Sequence, residues 1–250
     1  MQFEGDDKPY SVPEIAPLYP EGPYEYRPFT ALLFEYTLEP GVAERVVPDP
    51  LEVNSKSRCV LGIFRYENVD GFGSYNELMT GLPVSYDGRS LFYSPYLVLD
   101  ADAPMAAGRE VWGIPKKYGS VSLDTTGSFP TATVSRNGMD IVTASASPRR
   151  TTDDHLFKHS QFDNVYRKRI PSASRDTLPV VDRLVVGRTT DVEVAWATTG
   201  SGDVTVKSTA DDPLKALQPN GDVDATLLEA SWTLERVDDA LLHVYEETRR

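Results

Sequence analysis

Thr131-Ala132-Thr133-Val134-Ser135-Arg136-Asn137-Gly138-Met139-Asp140-Ile141-Val142-Thr143-Ala144-Ser145 reads as two strands joined by a two-residue turn. Asn-Gly tolerates the positive φ angles that a tight hairpin turn requires. The same rhythm runs outward in both directions. Upstream lie strand-like runs at Thr30–Thr37, Cys59–Tyr66, Ser74–Thr80, Leu91–Leu99 and Gly119–Leu123, with Asp87-Gly88 as a second hairpin turn. Downstream lie Glu193–Ala197, Val204–Lys207 and Glu229–Glu235, the last alternating as a half-buried strand does. Helical signals are few and short. Pro40–Val47 has a proline near its first turn and is stopped by Pro48-Asp49-Pro50. Asp212–Leu217 reads as one or two turns with an Asp cap and a Pro start. Many strands, few helices and no strand–helix–strand alternation predict a mainly β fold of the α+β kind. A closed antiparallel barrel with flanking strands and a few short helices suits a chain of this length. No break in composition divides residues 1–250, which read as a single domain. Residues 1–28, rich in proline and tyrosine, read as an extended arm over the body or a neighbouring subunit. The stretch at about 147–175 is polar and irregular.

Composition narrows the function. Hydrophobic residues make up 40% of the 250, enough for a substantial core. No run approaches the ~18 apolar residues of a membrane helix. The acidic start, Met1–Asp7, lacks a basic-then-apolar signal pattern. The expectation is a soluble, cytoplasmic protein with no membrane partner. A net charge of −13 argues against nucleic acid as a partner. The single cysteine, Cys59, excludes an internal disulfide and any zinc site built on several thiolates; it reads as a small buried hydrophobe. His155 and His159 stand four apart but have no evident third ligand, so no metal is expected. His243 reads as a strand residue, and Trp112, Trp196 and Trp232 as core. The paired acids Asp6-Asp7, Asp153-Asp154, Asp211-Asp212 and Asp238-Asp239 read as solvated turn or cap residues. No nucleophile-elbow, phosphate-loop or dinucleotide pattern is present.

The chemistry concentrates in Ala107-Gly108-Arg109-Glu110-Val111-Trp112-Gly113-Ile114-Pro115-Lys116-Lys117. Only eight of the 25 basic residues are lysines, and two of them sit side by side here in apolar, glycine-bearing surroundings. Burial and a neighbouring cation both favour the uncharged amine, the form that attacks a carbonyl. An arbitrary Pro-Lys-Lys is ordinarily an exposed turn, so the flanking residues decide.

Gly108-Arg109-Glu110 followed by Pro115-Lys116-Lys117 resembles the signature of the acetoacetate decarboxylase family, itself the standing example of a lysine activated in this way. The resemblance spans nearly the whole chain. Tyr19–Tyr24 resembles the family's entry segment, and Val46–Glu52 its V-P-x-P-L run. Gly73-Ser74-Tyr75-Asn76-Glu77 resembles G-x-Y-x-E, with Leu82-Pro83-Val84 following. Trp196 and the Leu214–Leu234 region also fit the family's C-terminal part.

That resemblance implies site residues. Lys116 is the imine-forming amine, with Lys117 as the neighbouring cation that keeps it uncharged. Glu77 is the acidic residue of the pocket. Arg109 and Glu110 form a buried mutual ion pair that shapes the lysine loop. Val111, Trp112 and Ile114 form an apolar wall that excludes water. Two positions depart from the family. Phe29 stands where the namesake enzyme has an arginine near the substrate carboxylate, leaving Arg27 nearest. Gly62 stands where it has a second glutamate.

The implied reaction is decarboxylation of a 3-oxo acid such as acetoacetate to a ketone through a lysine imine, with no cofactor and with a homo-oligomeric enzyme. The departures at Phe29 and Gly62 keep open an aldolase-dehydratase that joins pyruvate to an aldehyde through the same amine. A non-catalytic barrel binding a small ligand is the third reading.

Overall fold

Residues 16–53, 57–158, 163–174 and 178–245 are described by a computed structural model. Fourteen strands form one sheet. They are β1 (Tyr24–Thr37), β2 (Glu52–Val53), β3 (Arg58–Val69), β4 (Gly73–Tyr86), β5 (Arg89–Tyr93), β6 (Leu97–Leu99) and β7 (Lys116–Tyr118). Then come β8 (Ser120–Asp124), β9 (Thr131–Arg136), β10 (Met139–Thr151), β11 (Asp163–Ile170), β12 (Val181–Val206), β13 (Asp224–Glu235) and β14 (Leu241–Val244). Two short α-helices, α1 (Val42–Val46) and α2 (Asp102–Ala107), interrupt them.

Seven strands close a ring in the order β12-β13-β1-β3-β4-β5-β11 and back to β12, while β10, β9 and β8 continue outward from β12. The mainly β fold and its barrel-like ring therefore stand. The ring is not wholly antiparallel. Its β5–β11 seam is parallel and only two residue pairs long, and β6 and β7 also run parallel.

Strand alternation builds two cores, one on each face of the ring. On β3, Cys59, Leu61 and Ile63 join one cluster while Phe64 and Tyr66 join the other. On β1, Leu32, Phe34 and Tyr36 separate in the same way from Phe29, Ala31 and Leu33. Burial on both faces explains why these runs are almost continuously apolar. Each fully buried Leu or Phe contributes roughly 2 kcal/mol. The second cluster surrounds the cavity described below.

The two expected hairpin turns are present: Asn137-Gly138 at φ 50° and 76°, and Asp87-Gly88 at 48° and 76°. Other expectations need correcting. The arm ends earlier than residue 28, because β1 begins at Tyr24; residues 1–15, with Asp6-Asp7, lie outside the described residues. Glu193–Ala197 and Val204–Lys207 read as two strands, yet Val181–Val206 is one strand of 26 residues. Register shifts after Thr190 and Val194, with Asp191 at φ 51°, bend it. Its first half therefore closes the ring on β11, and its second half carries β10. The stretch expected to be irregular at about 147–175 is largely strand, because β10 runs to Thr151 and β11 spans Asp163–Ile170. Trp196 is not core but 41% exposed on β12. His243 lies in β14 as expected, and His159 falls outside the described residues. Among the described residues, no cluster of His, Cys, Asp and Glu could hold a metal ion. No helix there is long and apolar enough to cross a membrane.

Candidate active site

Lys116 opens β7, which lies beside β6 with Lys116 opposite Leu97. Successive side chains on a strand leave on opposite faces. Lys116 turns inward and is 5% exposed. Its Nζ stands 3.1 Å from Oε1 of Glu77, itself 4% exposed on β4. Among the described residues that oxygen has no other partner. Burial pushes the Glu77 carboxyl above its ordinary range, and the charge and hydrogen bond of Lys116 partly offset this. An ion pair in such a place is penalised by desolvation of both charges.

Lys117 turns the other way, a correction to its expected place beside the Lys116 amine. Its Nζ lies 2.8 Å from Oδ1 of Asp212 and donates to the Asp211 carbonyl. Asp212 also accepts from Arg136 Nε at 3.0 Å and from the Tyr96 hydroxyl at 2.7 Å. Asp212 is therefore neither a solvated acid nor a helix cap but 1% exposed, and the short 3₁₀ turn after it has no side-chain cap. Burial alone raises its proton affinity, but the hydrogen bonds from Lys117, Tyr96 and Arg136 outweigh that and hold its pKa at about 2.

The turn that delivers Lys116 is a widened π-type turn, Gly108–Trp112, following α2 directly. Gly108 runs beneath the lysine: a Cβ there would stand 2.8 Å from Lys116 Cδ and 2.9 Å from Cε. Gly113, at φ 74°, ends the turn where the Lys168 backbone packs against it. Lys168 Nζ donates to the carbonyls of Glu110 and Val111, a contact between segments too far apart in the chain for any sequence signal to predict. Arg109 and Glu110 do not form the expected buried pair. Arg109 is exposed and donates to the Lys116 carbonyl at 2.9 Å, while Glu110 accepts from the Tyr19 hydroxyl at 2.7 Å. The arm thereby packs onto the turn, and Tyr24 meets Trp112 edge-on at 6.1 Å.

Lys116 and Glu77 face a cavity of about 80 Å³. Since a single water needs about 10–15 Å³ in this measure, the space suits one small acid. Gly62 and Ile114 line it as expected, among Tyr26, Tyr66, Phe64, Tyr166 and Trp232. A Cβ on Gly62 would fall 2.5 Å from the Phe64 ring, which leans into the space left free there. Three expected pocket residues, and Val111 of the expected apolar wall, are elsewhere. Phe29 is 1% exposed and packs behind the wall, 4.5 Å from the Trp232 ring. Trp112 is buried against the arm. Arg27 lies on the outside with its side chain 52% exposed, donating to Asp70 at 3.1 Å. A strand residue two places from Phe29 shares its face in a regular strand, but the register of β1 shifts between Tyr26 and Phe29 and turns Arg27 outward.

Comparison with known proteins places these features in company. The family model described as acetoacetate decarboxylase (ADC) matches residues 8–241. Acetoacetate decarboxylase 1 of Mesorhizobium japonicum is 31% identical over 229 residues, covering 91% of this chain and 92% of that one. Acetoacetate decarboxylase of Chromobacterium violaceum is 29% identical, covering 80% and 82%. The crystal structure of acetoacetate decarboxylase from Legionella pneumophila superposes with a TM-score of 0.87 at 25% identity, covering 95% and 94%. The enduracididine biosynthesis enzyme MppR shares the fold, with a TM-score of 0.78 at 23% identity and 92% and 91% coverage.

Proposed function

The chain belongs to the acetoacetate decarboxylase family, and from that premise we propose that it is a lyase that decarboxylates a small 3-oxo acid, acetoacetate or one of its size, through an imine on Lys116. The observation that carries this reading is the buried Lys116 amine 3.1 Å from the Glu77 carboxylate on the wall of a small aromatic cavity.

The steps follow from the groups present. Glu77 takes a proton from the Lys116 ammonium, and the free amine adds to the ketone carbon. Glu77 returns a proton to the departing oxygen, water leaves, and a protonated imine remains. The bond to the carboxyl carbon then breaks. Its electron pair flows into the iminium nitrogen to give an enamine, and carbon dioxide departs. Protonation on carbon and hydrolysis release the ketone and restore the amine. The apolar walls keep water from the iminium and strengthen its pull on those electrons.

The same amine can take pyruvate and join it to an aldehyde. The outward turn of Arg27 and the absence of an acidic side chain at Gly62 favour this second reading, because the pocket then departs from that of the namesake enzyme. Structures of MppR, similar in fold, are described as complexed with pyruvate and with the condensation product of pyruvate and imidazole 4-carboxaldehyde. Assay of carbon dioxide release from acetoacetate, beside condensation of pyruvate with aldehydes, separates the two. Prompt carbon dioxide release with no condensation is the expected result; condensation alone overturns the decarboxylase reading.

A further inference from the structure

Among the described residues lining the cavity, Lys116 is the one cation, and Arg27 points away to Asp70. A substrate carboxylate therefore meets no guanidinium there. The cavity offers uncharged donors instead. Tyr66 on β3 and Tyr166 on β11 both line it, with only 3% of each residue exposed. Other buried tyrosines have partners: the Tyr75 hydroxyl donates to Tyr26 at 3.2 Å, and that of Tyr96 to Asp212. Neither Tyr66 nor Tyr166 has a side-chain hydrogen bond to any described residue. Neither hydroxyl is sealed away from the cavity, so a ligand there can reach it.

We propose that Tyr66 and Tyr166 bind the carboxylate of the 3-oxo acid through their uncharged hydroxyls, in place of an arginine. The proposal rests on the decarboxylase reading above. Both tyrosines line the same cavity of about 80 Å³ as Lys116, so an acid joined to that amine shares the space with them. Burial first, and the nearby Glu77 charge second, push both phenols well above the ordinary tyrosine range, so they keep their protons and act as donors. Uncharged donors orient a carboxylate yet hold its charge less tightly than a guanidinium does. The carboxylate charge disappears as carbon dioxide forms, so interactions that stabilise only the ground state oppose the step. The phenols lose no proton during it; the electron pair of the breaking bond goes to the imine.

The test compares wild type with Tyr66→Phe, Tyr166→Phe and the double variant. Acetoacetate gives kcat and KM separately, and acetone, a ketone without a carboxylate, is trapped on Lys116 with borohydride. Each single variant is expected to raise KM for acetoacetate about 10-fold, and the double variant more, the scale of a lost hydrogen bond to a charged group. Acetone labelling is expected to stay within about 2-fold of wild type, since it needs the amine alone. Unchanged KM in both single variants overturns the proposal. So does a fall in acetone labelling that tracks the loss of acetoacetate turnover. Wild-type protein that neither releases carbon dioxide from acetoacetate nor is labelled by acetone overturns the decarboxylase reading beneath it.

Discussion

Lys116 and Lys117 leave the same strand on opposite faces, one to Glu77 inside the ring at 3.1 Å and the other to Asp212 at 2.8 Å. Two adjacent lysines thus have separate tasks. The inner one meets a buried carboxylate on the cavity wall. The outer one ties β7 to the segment before the 3₁₀ turn Leu214–Leu217.

Removing the outer lysine tests that division. Lys117→Ala leaves Asp212 buried with Arg136 and Tyr96 but short of one cation. The expected loss is roughly 1–3 kcal/mol of stability, read from urea denaturation. A variant as stable as wild type would mean that the Lys117–Asp212 contact carries no weight.

Asp212 also gives an acid limb to stability. Its pKa of about 2 lies below the usual aspartate value of 3.8, so the folded state binds this proton less readily than the unfolded chain. The contribution is therefore complete above about pH 4 and is lost as pH falls toward 2, a total on the order of 2 kcal/mol. Asp212→Asn should flatten the stability curve across that window. An unchanged slope between pH 4 and 2 would show that the cluster does not hold the charge.

Glu77→Gln removes the proton acceptor nearest the amine while keeping its size. The expected outcome is a fall in kcat of about 100-fold or more, the scale of general acid–base catalysis. Turnover within a few-fold of wild type would place the proton elsewhere.

Gly108→Ala puts a methyl group 2.8 Å from Lys116 Cδ. The flexible lysine gives way before the backbone does, and its Nζ moves off Glu77. Turnover is expected to fall roughly 10- to 100-fold, since displacement by about 1 Å has that effect, while urea stability changes little. Full activity would show that the glycine is not what seats the lysine.

Much of the fold was legible in the sequence because the signals were local. Asn137-Gly138 and Asp87-Gly88 specify their turns through backbone preferences alone. The closing of the ring was not legible in detail, because its seam rests on two parallel residue pairs between β5 and β11, far apart in sequence. The bend in β12 was hidden for a different reason: a register shift leaves the residue pattern looking like two strands. At the site, motif resemblance singles out Lys116 and Glu77 and a departure from it singles out Gly62; these three and Ile114 line one cavity. Strand alternation at β7 could have warned that neighbouring lysines part company. Asp212 looked like a cap because Asp-Pro before a short helix usually is one. Its burial depends on Lys117, Arg136 and Tyr96 arriving from distant segments. The two cavity tyrosines, Tyr66 and Tyr166, sit in runs that read simply as strand.

Borohydride reduction in the presence of acetoacetate, followed by peptide mass analysis, bears most directly on the claim that the buried amine does the chemistry. An isopropyl group fixed on Lys116, absent without substrate and absent from Lys117, is the predicted result. Label on another lysine, or none while carbon dioxide is still released, would contradict it.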